Sequence, residues 1–171
     1  MGSWTKPTPP GVILREAAQD QATRRWARIA DGPAGEVVER VWSVRWDLRP
    51  GEIFASSLVA HLSTNLSVEH DAGTPATDGD VLVTGPPTRR FDVDLRDAGW
   101  VVGLKFHPGA FTGVTGMPAR DLLDSRLPAD RILPATVVAA VREAADCEDE
   151  ETIAEGCLRA VEPLVERLDP T

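Results

Sequence analysis

Three histidines, His61, His70 and His107, and the acid beside the second, Glu69, are the residues best suited to hold a metal or move a proton. A metal site needs ligand number and geometry right together. No H-x-H pair occurs, and His61 and His70 fall on adjacent strand segments joined by a turn. Their side chains are not expected to converge, and no metal or other cofactor is expected. Covalent catalysis has less behind it: there is no G-x-S-x-G elbow, no H-E-x-x-H helix and no P-loop. The chain has no tyrosine, which removes one common acid or base. Asp92 and Asp94 share a strand face, and a solvated face accounts for them. No enzymatic activity is expected. Binding of a small molecule is better motivated. Trp42, Val44 and Trp46 fall on one strand face and make a candidate apolar wall, with Phe91 and Phe106 as further lining. His61 and Asn65 are candidate hydrogen-bonding anchors. The competing reading of each aromatic is plain core.

These residues must be positioned by short strands. Trp42–Leu48 alternates cleanly: Trp42, Val44, Trp46 and Leu48 on one face, Ser43, Arg45 and Asp47 on the other. Further strands are expected at Gly11–Arg15, Arg24–Ile29, Glu52–Val59, Asn65–His70, Asp80–Thr84, Arg89–Leu95 and Gly99–Phe106. Arg49-Pro50-Gly51 reads as a turn and Ala34–Val41 as a short helical turn. Regular strand spacing points to a sandwich or small barrel. After His107-Pro108-Gly109 the pattern becomes helical. A short helix is expected at Arg120–Leu123, and a longer one from Pro134 to about Asp146 with Val137, Val138, Val141, Ala144 and Ala145 on one face. A last helix starts near Glu150, capped by the acidic run before it, and Pro163 should kink it or restart it.

Bulk properties set limits. A chain of 171 residues fits one domain with a small appendage and can bury a core without disulfides. A formal net charge of −9 repels phosphates, so the chain alone is a poor ligand for DNA or an anionic membrane. No apolar run approaches a membrane span, and the first residues lack the apolar core of a signal peptide. Cys147 and Cys157 read as thiols in a reducing cytoplasm.

Three segments together resemble one family. They are Glu36–Leu48 (EVVERVWSVRWDL), Leu58–Glu69 (LVAHLSTNLSVE, with His61 and Asn65 at a familiar spacing) and Gly99–Thr112 (GWVVGLKFHPGAFT), the last followed by a Gly116–Pro118 turn. In this order they resemble the N-terminal, cupin-like sensor domain of AraC-type transcription regulators. The likeness covers about Gly11 to Asp169. Leu62 and Ala110 stand where that family usually has proline and glycine. The resemblance implies a mainly β, α+β fold: a cupin-like β-barrel over 11–133, preceded by a disordered 1–10 and followed by two antiparallel helices over 134–171. Cupin barrels often hold a metal on paired histidines, and that pair is missing here. The implied function is effector sensing and dimerisation, as a cytoplasmic homodimer joined through the C-terminal helices. DNA would be read by a helix-turn-helix domain absent from this chain. A stand-alone cupin-like binding protein or enzyme is the alternative.

Overall fold

The Trp-rich alternating segment forms the greater part of β2 (Val38–Asp47), and the sheet is built outward from it. The computed structural model describes residues 23–58, 61–70, 80–89 and 91–168. The strand expected at Gly11–Arg15 and the segment 1–10 lie outside the described residues. The other strands are β1 (Thr23–Ile29), β3 (Ile53–Leu58), β4 (Asn65–His70), β5 (Asp80–Thr84), β6 (Phe91–Arg96), β7 (Ala98–Phe106) and β8 (Arg126–Pro128). Six of them form one antiparallel sheet in the order β1-β2-β7-β4-β5-β8, while β3 and β6 pair separately.

The expected barrel is not seen closed among the described residues. A barrel requires one ladder closed on itself. Among the described residues the six-stranded ladder is open, with β1 at one edge and β8 at the other. β3 and β6 find each other because Leu48 N–H bonds the Asp97 carbonyl at 2.7 Å, which ties the end of β2 to the turn after β6. The turn at Gly51 (φ 82) then sends β3 back along β6. β8 was not anticipated: three residues with a proline give no periodicity to read. The helical turn is shorter than expected. It is a 3-10 turn over Pro33–Glu36 ending at Val37, and Val38 and Val41 belong to β2.

The described residues form four α-helices, α1 (Ala110–Thr115) and α2 (Ala119–Leu122) between β7 and β8, and α3 (Ala135–Ala145) and α4 (Glu150–Val165) after β8. The acidic run acts as foreseen: the Asp149 carboxylate caps α4, accepting from the Thr152 N–H at 2.8 Å. Pro163 falls in the last turn, so it ends the helix rather than kinking its middle. The apolar faces of α3 and α4 are buried against the sheet. Val137, Val141, Ile153, Cys157, Val161 and Leu164 share one core with Val41, Leu66, Val68 and Leu104. Two ion pairs pin the start of α4 to β1, Arg24 to Glu150 at 3.1 Å and Arg28 to Glu151 at 3.0 Å. No helix among the described residues is long and apolar enough to cross a membrane.

Candidate functional site

Strand register divides the sheet into two unlike faces. Residues paired across an antiparallel ladder point to the same side. On the helix-covered face the row Val41, Leu104, Leu66, Val83 and Leu127 is apolar from β2 to β8. On the opposite face the corresponding row is Arg40, Lys105, Asn65, Thr84 and Arg126. The row beside it runs Trp42, Gly103 and Ser67.

One irregularity concentrates charge on this second face. The β2–β7 register slips between Val38 and Arg40, which inserts Glu39 as an extra residue. A bulge re-aims its side chains. Glu39 and Arg40, sequence neighbours that strict alternation would send to opposite faces, therefore meet the same lysine neighbourhood. Glu39 Oε2 lies 2.9 Å from Lys105 Nζ, and its other oxygen accepts from Arg40. These side chains are largely withdrawn from solvent, 17% exposed for Arg40, 13% for Lys105 and 27% for Glu39. Burial opposes the Glu39 charge, yet the hydrogen bonds and positive charges of Lys105 and Arg40 hold its carboxyl below the ordinary value. Further along, Glu69 is buried, accepts from Ser67 Oγ at 3.1 Å and pairs with Arg126.

His61 completes the group from the segment before β4. Its Nε2 is shielded from solvent and has no hydrogen-bond partner. Desolvation, aided by the charges of Lys105 and Arg40 and opposed by Glu39, pushes its pKa below the ordinary value. A buried, unpartnered ring nitrogen is costly unless a partner arrives.

Of the residues expected to line a site, Trp42 and Asn65 come together, Trp42 Nε1 donating to Asn65 Oδ1 at 3.3 Å. The indole of Trp42 lies over Gly103, where a Cβ would come within 2.5 Å of it. Val44 and Trp46 share that face but pack with Leu48, Leu95, Phe54, Val93 and Val101 in a small core between the two sheets. Trp46 also donates to the Arg96 carbonyl at 3.1 Å. Phe106 is a correction. It is fully buried on the helix side, edge-on to Phe111 with ring centroids 5.1 Å apart, and faces away from this site. The side chain of Phe91 lies outside the described residues. The three histidines occupy three settings: His70 stacks on Trp100, His107 Nε2 bonds the Gly35 carbonyl at 3.2 Å, and His61 Nε2 has no partner. Among the described residues no three potential ligands gather as a metal set.

Arg40, Lys105, Glu39, Ser67 and Arg126 were not foreseen as site residues, and Glu69 was weighed only as a metal ligand. The alternation carries a signal: Lys105 is the charged position of an otherwise apolar β7, and Asn65, Ser67 and Glu69 alternate with Leu66 and Val68 along β4. The bulge has none.

A family model for a domain of unknown function, DUF6597, matches residues 34–128, more than half of the chain. The chain belongs to the DUF6597 family. The DUF6597 match runs from the 3-10 turn through β8 and so contains the whole polar group, while β1, α3 and α4 lie outside it. Neither the curated proteins nor the solved structures give a match to the chain.

Proposed function

We propose that this DUF6597 domain is the effector-sensing part of an AraC-type transcription regulator, with the DNA-reading helix-turn-helix units carried outside this chain. The cupin-like architecture and a cytoplasmic setting belong to the same reading. The observation that carries it is the solvent-shielded His61 Nε2 without a partner, beside the Trp42–Asn65 pair and the Arg40–Glu39–Lys105 group. Binding sites are mostly apolar surfaces with a few convergent polar groups. A plain core rarely leaves a buried ring nitrogen unpaired. The reading is one of binding without catalysis, and the carboxylates at this face, Glu39 and Glu69, are each paired with cations.

β2 offers the route from ligand to output. It carries Arg40 and Trp42 on the polar face and Val38 and Val41 in the core shared with α4. A ligand that shifts β2 on one side alters the seat of α4 on the other, and α4 leads toward the fused reader. Dimerisation remains part of the proposal, but the apolar stripe of α4 is already buried within the chain. A dimer through these helices must use the outer positions such as Glu151, Glu155 and Arg159, which are exposed.

A thermal-shift screen of small polar metabolites, run in parallel on the native chain and Trp42→Ala, tests the sensing reading. Ligands that stabilise the native chain and lose that effect in the variant support it. A screen in which every hit acts equally on both removes this site. The reading frame past Thr171 tests the regulator: paired helix-turn-helix units support it, and a stop codon there ends it.

A further inference from the structure

The charges around His61 do not cancel. Arg40 and Lys105 share one carboxylate, Glu39, while Arg126 has Glu69 to itself. The first group therefore carries one positive charge in excess among the described residues. Its side chains are mostly out of solvent, where an uncompensated charge is unfavourable. Hydrogen-bonding capacity points the same way. A guanidinium and an ammonium offer about eight N–H donors, and one carboxylate offers about four acceptor positions. Beside them stands His61 Nε2, shielded and unpartnered. The half-buried indole of Trp42, held over Gly103 and tied to Asn65, is the apolar surface next to these groups.

We propose that the ligand of this face is a small carboxylate with an apolar body, its carboxylate received by Lys105, Arg40 and the Nε2–H of His61 and its body laid against Trp42. This rests on the reading of the face as an effector site and names the ligand's chemical class. The anion supplies the missing negative charge and a partner for the ring nitrogen. Charge-assisted hydrogen bonds are the strong ones, so the carboxylate is the determinant of affinity. A second consequence follows from His61. Its ring is neutral in the unliganded protein at neutral pH, with Lys105 on β7 and Arg40 on β2 opposing its proton and Glu39 on β2 favouring it. A bound carboxylate adds a second negative neighbour, so binding takes up a proton and tightens as the pH falls from 8 toward 6.

The test is calorimetric titration of the whole chain with benzoate and 2-naphthoate, each against its neutral amide, in two buffers of different ionisation heat. The acids are expected to bind at least about tenfold tighter than the amides, a gap of about 1.4 kcal/mol. Lys105→Gln should close that gap, and His61→Gln should abolish the buffer-dependent proton uptake while leaving circular dichroism unchanged. Amides that bind as well as acids, with both lost in Trp42→Ala, overturn the carboxylate but keep the effector site. If none of the four binds, the carboxylate inference fails. The effector reading then stands or falls on the broader thermal-shift screen.

Discussion

Two glycines of β7 allow a sharp comparison. Gly99 lies opposite Trp46 and Gly103 opposite Trp42, so each tryptophan covers a glycine on the neighbouring strand. A Cβ at Gly99 would stand 2.4 Å from Trp46 Cζ2 and 2.6 Å from the His70 carbonyl oxygen; one at Gly103 would stand 2.5 Å from Trp42. Ordinary contact begins near 3.4 Å, so either alanine demands a retreat of about 1 Å. The two retreats differ in what must move. Trp46 is 4% exposed, bonded to the Arg96 carbonyl and wedged among Leu48 and Leu95, and the second obstacle is backbone. Trp42 is half-buried and gives up one long hydrogen bond to Asn65. Overpacking costs about 1–3 kcal/mol, and replacing a strand glycine returns about 0.5–1 kcal/mol. Gly99→Ala should therefore lose about 2 kcal/mol net, and Gly103→Ala between about 0 and 1. At about 3 °C per kcal/mol for a domain of this size, that is a drop of about 6 °C against one below about 3 °C. Urea and thermal unfolding followed by tryptophan fluorescence read both. A Gly103→Ala chain as destabilised as Gly99→Ala would refute the claim that Trp42 is the adaptable member of the pair.

Four further outcomes are expected. Gly85→Ala should be worse than either, because its Cβ would meet the Leu122 carbonyl oxygen at 1.7 Å; poor soluble yield or a transition at lower urea checks this. Phe106→Ala should cost about 3–5 kcal/mol through the cavity left beside Phe111, whereas Trp42→Ala should cost less and chiefly abolish binding; equal losses would place Trp42 in the core. His61 has a depressed pKa, so the unfolded chain binds its proton more readily than the folded one. Its contribution is present above about pH 6.5 and is lost as the pH falls toward the folded value; between pH 7.5 and 5.5 the urea midpoint of the native chain should fall further than that of His61→Gln, and equal falls would show this to be wrong. Burial pushes the Cys157 thiol up to about 12, so native protein at pH 8 should show one thiol reacting fast with a disulfide reagent, the half-buried Cys147, and two after denaturation.

Much of the sheet was legible because its strands are half-buried and alternate. β2, β4, β5 and β7 fall within a few residues of the expected bounds, and the apolar stripe of α4 follows its period from Ile153 to Leu164. Local signals also located the Gly51 turn and the Asp149 cap. What sequence did not carry is pairing. Nothing in IFASSL or FDVDLR says that β3 and β6 prefer each other to the larger sheet, and a period of two is equally consistent with a closed barrel. The site shows the same division. Trp42 and Asn65 were both named from the sequence, and the structure brings them into hydrogen-bond contact. Phe106 was misread because strand periodicity tells that Phe106 and Leu104 share a side, but not which side the helices cover.

Glu39 explains why the chemistry of the site stayed hidden. In a regular strand Glu39 would point with Val41 into the core, where an unpaired carboxylate is costly. The extra residue at the bulge turns it instead toward Lys105, and Arg40 remains beside it. The bulge thus removes a charge from the core and builds the ion group next to His61 in one step. It also lies at the point where β2 passes from the 3-10 turn, which packs under α4, into the ladder with β7. Local twist at a bulge is adjustable in a way that a regular ladder is not. A ligand that engages Lys105 and Arg40 competes for their contacts with Glu39, and the strain of that competition falls on this one irregular position. The backbone most able to yield is therefore the backbone that joins the polar face to the 3-10 turn under α4.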